Sequence, residues 1–249
     1  MINSVKPNLI VSDSRGAWFR ATILFILALI GTVGMWSVVV FIPDIEKEFG
    51  LDRGTSSLLY AFTMIGFGFG TVVIGKVYDK FGIKKPILLA TFVLITSYYF
   101  YSIFPFYWQF LILQFFMGFA ASAFFGPAMA DISNFFNKQR GFALSIVASA
   151  NYVAGATWPL LIGYFLTFID WRAAHFWISI CLFIMIPLIL LLKNASVDES
   201  KSHDMKQRYK DIRLDLSNNQ IQVLLMLAGI CCCVAMAMPQ VHMVALCVD

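Results

Sequence analysis

Charge is what this sequence has least of. Asp, Glu, Lys and Arg together make up 13% of the 249 residues against 60% hydrophobic ones, and the mean hydropathy is +0.79. That balance excludes an ordinary soluble domain, whose surface needs about twice that share of charge. Histidine is also scarce, with three in the chain, and the five cysteines (Cys181, Cys231, Cys232, Cys233, Cys247) all fall inside or at the edge of apolar runs. A thiol there behaves as a small hydrophobe, so no disulfide framework follows. The run Cys231-Cys232-Cys233 cannot close on one metal ion, because consecutive helical residues point about 100° apart. Paired acids or a nucleophile–base couple are lacking within the apolar runs, so the expectation is a protein that is not an enzyme and holds no cofactor or metal. The net charge of +4 sits in loops flanking those runs, which argues against a nucleic-acid partner.

What is present is a series of charge-free stretches: Ala21 to Pro43, Gly54 to Gly75, Pro86 to Ala130, Gly141 to Ile169, Ala173 to Leu192 and Leu216 to Val248. A helix needs about 20 residues to cross about 30 Å of hydrocarbon. The third stretch would be about 67 Å long as a single helix, so it must be two spans. Phe104-Pro105-Phe106-Tyr107-Trp108 divides it, a helix stop beside interfacial aromatics. The expectation is an all-α transmembrane chain of six compact spans and a seventh.

The basic residues test that count. Fifteen of the 18 Lys and Arg fall on one side when loops are assigned alternately, and only Lys47, Arg53 and Arg172 fall on the other. The N-terminus is therefore expected inside. The resulting organisation is a cytoplasmic tail over 1–20, a six-helix bundle over 21–192, a charged linker over 193–219 and the first helix of an incomplete second bundle over 220–249.

The connection Gly75-Lys76-Val77-Tyr78-Asp79-Lys80-Phe81-Gly82-Ile83-Lys84-Lys85 reads as a short charged turn between two spans. It resembles the loop between helices 2 and 3 of the major facilitator superfamily, roughly G-x-x-x-D-[RK]-x-G-[RK]-[RK]. Gly75, Asp79, Lys80, Gly82 and Lys84 are in register, and Ile83 stands where a basic residue is preferred. The stretch Phe135-Phe136-Asn137-Lys138-Gln139-Arg140-Gly141-Phe142-Ala143-Leu144-Ser145 is similar to the Y-F-x-K-R-R-x-L-A-x-G pattern of the monocarboxylate transporter and oxalate:formate antiporter-like branch. Gln139 departs from it. Trp171-Arg172 resembles that branch's Gly-Trp-Arg corner, with Asp170 in place of glycine, and Asp13-Ser14-Arg15-Gly16-Ala17-Trp18 loosely resembles its cluster before helix 1.

The resemblance implies the N-terminal six-helix bundle of a facilitator fold plus helix 7, with the second half lying outside this sequence. It implies a secondary active transporter working by alternating access on a small, monocarboxylate-like organic anion, with a coupling proton or counter-anion. The chain would be a multi-pass protein of the bilayer, in a bacterial inner membrane. Efflux of amphipathic compounds by another branch, and a non-transporting membrane regulator, are the alternatives. Gating would fall to Gly75, Asp79, Lys80, Gly82, Lys84, Lys138 and Arg140, and a carboxylate-binding arginine would lie in the second half.

Substrate-cavity candidates follow from polar and aromatic residues within spans: Trp36, Ser37, Tyr60, Gln114, Asn151 and Trp158. For each, a helix-to-helix hydrogen bond accounts for the residue equally well. Small residues recur every four positions at Gly118, Ser122 and Gly126 and at Gly155, Pro159 and Gly163, with Gly66 and Gly70 forming a similar surface, so close helix approach is expected there. His175 is expected at the membrane interface, and Asp131 at a span end.

Overall fold

The computed structural model describes residues 13–192 and, beyond them, only 217, 220, 221, 223, 224, 227, 228 and 231. The 193–219 linker and the seventh helix therefore lie almost wholly outside the described residues. Among the described residues six helices are long and apolar enough to cross a membrane: α1 (Arg15–Phe49), α2 (Arg53–Phe81), α3 (Lys84–Ile103), α4 (Tyr107–Phe135), α5 (Arg140–Leu166) and α6 (Trp171–Leu191). This is a multi-pass, all-helical membrane architecture, and the 45-residue stretch divides at the anticipated place. Phe104 ends α3 in an extended conformation and Phe106 precedes α4 in another.

Two boundaries differ from those drawn by charge alone. Helix α1 begins at Arg15, capped by Ser14 accepting from the Ala17 N–H, so Arg20 lies within a span rather than in a tail. A bidentate acidic partner permits its burial, as described below. The charged stretch after Gly75 is helical to Phe81, and the α2–α3 connection shrinks to Gly82 and Ile83. Gly82 ends α2 at φ +72°, a conformation that glycine adopts without penalty. Gly75 meets nothing within 4 Å of where a Cβ would lie, so its place in the motif is not explained by close approach inside this bundle. His175, in the first turns of α6, is buried against neighbouring helices. Its ring lies 4.0 Å from that of Phe41 and is stacked on Tyr101 at 4.3 Å, while Nδ1 is 2.8 Å from the Trp171 carbonyl oxygen.

Helices α1 and α4 are the most buried, α2 and α5 the least. Helix α1 packs on α5 and α4, and α3 packs on α4 and α6. The closest pairing is α2 with α4, and it is made by reciprocal glycines. A Cβ on Gly118 would lie 1.9 Å from the Thr63 carbonyl oxygen, and one on Gly66 would lie 2.0 Å from that of Phe115. Backbone meets backbone here, as small residues permit in membranes. The stripes are otherwise uneven: Gly126 and Gly163 face open space, and Gly155 makes room for the Trp36 ring.

Three spans are broken. In α1 the helix Arg15–Gly31 stops at Thr32, whose hydroxyl donates back to the Ala28 carbonyl at 2.8 Å, and resumes at Val33. Such back-bonding competes with the backbone ladder and bends helices. In α4 a 3₁₀ turn, Ser122–Phe124, precedes Gly126-Pro127, where proline has no N–H for the ladder. In α6 a similar turn, Leu182–Ile184, precedes Pro187. The breaks in α1 and α4 touch, because the Phe124 ring occupies the space a Cβ on Gly31 would need.

Candidate functional site

Residues near the middle of the spans gather where α1 and α5 meet. Trp36, one turn beyond the break in α1, donates its indole N–H to Asn151 Oδ1 on α5 at 3.1 Å. Trp158, two turns further along α5, donates to the Leu29 carbonyl at 2.8 Å. The last carbonyls of a helix lack partners within it, and Leu29 belongs to the last turn before the break. An indole from α5 therefore satisfies a group that the break in α1 frees. Trp36, Asn151 and Trp158 are all half-buried, as is Tyr60 on α2. At the α1–α5 contact Trp36, Asn151 and Trp158 present two indole rings and one amide, without a charge.

Ser37 and Gln114 are placed differently. Ser37 Oγ is 2.6 Å from the Tyr98 hydroxyl, joining α1 to α3. Gln114 accepts from Thr63 Oγ1 at 2.9 Å and donates to the Tyr101 hydroxyl at 3.3 Å, joining α4 to α2 and α3. Both are buried, so both serve the helix-to-helix bonding that was the alternative to a cavity role. Three of the six candidates, Trp36, Asn151 and Trp158, thus meet where α1 and α5 pack, Tyr60 is half-buried on α2, and Ser37 and Gln114 bond one helix to another.

The residues implicated in gating occupy the end of the bundle where the chain enters α1. Asp79 and Lys80 are exposed on the last turn of α2, with the Lys80 ammonium 5.3 Å from the Phe81 ring. Lys84 donates to the Leu190 carbonyl at 3.4 Å, linking the α2–α3 turn to the end of α6. Lys138 lies in the α4–α5 connection and Arg140 opens α5.

The same end holds a cluster that sequence reasoning treated as separate pieces. Asp13 accepts from the backbone N–H groups of Asn137, Lys138 and Gln139 at 3.3, 3.2 and 3.3 Å, and its own N–H donates to the Phe135 carbonyl at 3.1 Å. It does so at φ +57°, a region that Asp tolerates better than most residues. Partial desolvation pushes this carboxyl up, but the three N–H donors outweigh it and hold the group below the ordinary carboxylate value of 3.8. Trp18 sets its ring edge-on to Phe136 at 4.8 Å and to Phe142 at 6.0 Å. The pre-helix cluster and the α4–α5 motif are therefore two sides of one contact.

Beneath them lies a buried ion pair. Arg20 Nε and Nη2 reach Asp131 Oδ2 and Oδ1 at 2.6 and 2.9 Å, and the guanidinium stands 4.6 Å from the Phe135 ring. No spacing rule joins positions 111 residues apart. The available signal was Asp131 itself, an acid beside a long apolar run that burial would oblige to find a cation. At the opposite end Arg172 bonds Glu48 at 2.6 Å and the Phe104 carbonyl at 2.8 Å, while the Trp171 indole bonds Glu48 at 2.8 Å. The Trp-Arg corner thereby ties the end of α1 to the α3–α4 turn. Asp170 caps α6 in the place of a glycine by accepting from the Arg172 N–H.

The family model described as Major Facilitator Superfamily matches residues 24–246. The chain belongs to the major facilitator superfamily. Its six described spans are part of that helical bundle architecture. It is 28% identical over 151 residues to the MFS-type transporter pynF of Aspergillus niger, covering 59% of this chain and 34% of that protein. It is 26% identical over 156 residues to the agnestins efflux protein AgnL12 of Paecilomyces divaricatus, covering 60% and 35%. It is also 25% identical over 180 residues to an uncharacterized MFS-type transporter, YdgK, of Bacillus subtilis, covering 69% and 44%. The chain spans less than half the length of these curated relatives.

Proposed function

We propose that the protein acts in secondary transport by alternating access, moving small organic compounds with a substantial apolar body out of the cell. The observation that carries this reading is the Trp36–Asn151 pair between α1 and α5, half-buried and flanked by Trp158. Rings supply stacking area and the amide supplies a donor and an acceptor, the mixture that suits amphipathic ligands. The Arg20–Asp131 and Arg172–Glu48 ion pairs stand toward the ends of the spans. A midplane surface without charge favours a ligand without an obligatory one. Two relatives carry names that point the same way, an agnestins efflux protein and a fujikurins efflux protein.

Transport of a monocarboxylate-like anion, with a coupling proton or counter-anion, is the second reading. It rests on the Phe135–Ser145 pattern and on Trp171-Arg172. It needs a cationic partner for the carboxylate, and the mid-span residues Trp36, Asn151 and Trp158 provide none. In either case we infer from the charge bias that the N-terminus lies inside and that residues 193–219 link to a second bundle, and we propose a bacterial inner membrane as the location. Asp79, Lys80, Lys84, Lys138 and Arg140, with Gly75 and Gly82, would form the gate on that side.

Inside-out membrane vesicles carrying the whole protein test the choice. Uptake of radiolabelled chloramphenicol, an uncharged compound with an aromatic body, that saturates and that Asn151→Leu reduces at least fivefold supports export of apolar-bodied compounds. Saturable lactate uptake with no uptake of the uncharged compound overturns it in favour of the anion reading.

A further inference from the structure

The contact between α1 and α5 decides which way one carboxamide points. Asn151, Gly155 and Trp158 follow one another at i, i+4 and i+7 along α5 and so share one face of that helix. The Trp36 indole lies on this face over Gly155. A Cβ there would come within 2.8 Å of ring atom Cζ2 and 2.9 Å of Cε2 and Cη2. Cε2 is bonded to the indole nitrogen, so the part of the ring that Gly155 seats is the edge beside the N–H. Seated there, the N–H meets Asn151 Oδ1, one turn back along α5, at 3.1 Å.

An indole N–H donates and cannot accept, so the atom it meets must be the amide oxygen. That assigns both ends of the carboxamide: Oδ1 is engaged by the indole, and Nδ2 keeps two hydrogens to give. Among the described residues no hydrogen bond from Nδ2 is made, and no buried side-chain nitrogen or oxygen lacks a partner, so Nδ2 opens outward rather than into packed protein. The neighbouring donors are spent. The Trp158 indole donates to the Leu29 carbonyl, and the hydroxyls of Thr32, Ser149 and Thr157 donate to carbonyls of their own helices, those of Ala28, Ile146 and Val153. What this contact offers a ligand is a pair of amide hydrogens beside two indole rings.

We propose that Trp36, seated on Gly155, holds Asn151 as a hydrogen-bond donor, so that this surface selects cargo carrying a neutral acceptor oxygen, such as a ketone or lactone carbonyl, on its apolar body. Asn151 touches the cargo, and Trp36 and Gly155 are positioning residues. The inference rests on the reading of this contact as a cargo surface, and it narrows apolar-bodied compounds to those that bear an acceptor. A carbonyl oxygen pairs with the amide hydrogens where water competes little, whereas a ligand N–H faces another donor and leaves its own hydrogen unpaired.

9-Fluorenone and carbazole share a fused three-ring frame, one bearing a carbonyl oxygen and the other an N–H. Each is set to compete with radiolabelled chloramphenicol for uptake into inside-out vesicles carrying the whole protein. Fluorenone should halve uptake at about one-tenth of the concentration that carbazole needs. Trp36→Phe keeps a ring over Gly155 but removes the N–H and frees the amide to turn, so the ratio of the two concentrations should shrink toward one. Gly155→Ala should shrink it too, by displacing the indole. A variant that only loosens the protein weakens both competitors alike, so an unchanged ratio in the two variants would overturn the positioning by Trp36 and Gly155. Equal potency of the two competitors in the unmodified protein would overturn the inference and leave export standing. Absence of chloramphenicol uptake would instead overturn export, and the melting midpoint of the detergent-solubilised whole protein then decides the inference: fluorenone should raise it more than carbazole, and equal shifts would overturn Asn151 as a donor to cargo.

Discussion

Replacing Gly118 by alanine adds one methyl group where none fits. The new carbon would lie 1.9 Å from the Thr63 carbonyl oxygen, 2.7 Å from its carbonyl carbon and 3.0 Å from the Phe67 nitrogen. These are backbone atoms of α2, so no rotamer change can relieve the clash. A carbon–oxygen contact relaxes only near about 3.3 Å, so α2 and α4 must part by about 1.4 Å. Overpacking of this sort costs about 1–3 kcal/mol, and parting the helices also loosens the contacts of Gly66 and Gly70 with the backbone at Phe115 and Phe119. Against that stands alanine's better helix propensity, about 0.8–1 kcal/mol in soluble helices. Gly163→Ala isolates the second term, because Gly163 is helical and faces open space. The difference between the two variants is then the packing term alone. At about 2–4 °C per kcal/mol for a chain of this size, Gly118→Ala should melt several degrees below Gly163→Ala. Thermal unfolding of the detergent-solubilised protein, followed by size-exclusion fluorescence, reads this directly. Equal midpoints would refute the reciprocal-glycine contact between α2 and α4.

Three further outcomes follow from the geometry. Removing one partner of the buried pair, by Asp131→Leu or Arg20→Met, should cost about 3–5 kcal/mol, because it strands a charge. The double variant should recover much of that loss in the same melting assay. Protection of the amides at 137–139 should hold as acid is added and fail only below the ordinary carboxylate value of 3.8: Asp13 has a lowered folded value, so its contribution is present above 3.8 and is lost as pH falls through that lowered value. Hydrogen exchange between pH 5 and 3 checks this, and loss of protection already at pH 5 would contradict it. Arg172→Lys should lower the melting midpoint by a few degrees, since one ammonium cannot span Glu48 and the Phe104 carbonyl as the planar guanidinium does.

The course of the six described spans was legible in the sequence because each follows from local composition. A helix in hydrocarbon must be apolar over its length, and the Phe104-Pro105-Phe106 divide needs only proline and length arithmetic. The ends were less legible, since charge marks where lipid stops and not where the helix does. Thus α2 runs to Phe81, past the charges at Lys76 and Asp79, and α1 starts at Arg15. The candidate surface was half legible. Trp36, Asn151 and Trp158 converge, whereas Ser37 and Gln114 turn toward Tyr98, Tyr101 and Thr63. A buried polar side chain announces that it needs a partner, and only the fold decides whether that partner is a helix or a ligand. The partnership of Asp13 with residues 137–139 was illegible for a similar reason, because its acceptors and donors come together only when α1 and α4 are placed side by side.

The central claim is that an uncharged mid-span surface, built on Trp36 and Asn151, recognises a cargo with an apolar body. Competition in inside-out vesicles tests it most directly: uptake of radiolabelled chloramphenicol, itself uncharged, by the whole protein is measured against excess unlabelled lactate and, separately, against an uncharged aromatic compound such as 2-naphthol. The account predicts inhibition by the aromatic compound, none by lactate, and loss of the aromatic effect in Asn151→Leu. Inhibition by lactate alone, unchanged in Asn151→Leu, would contradict it.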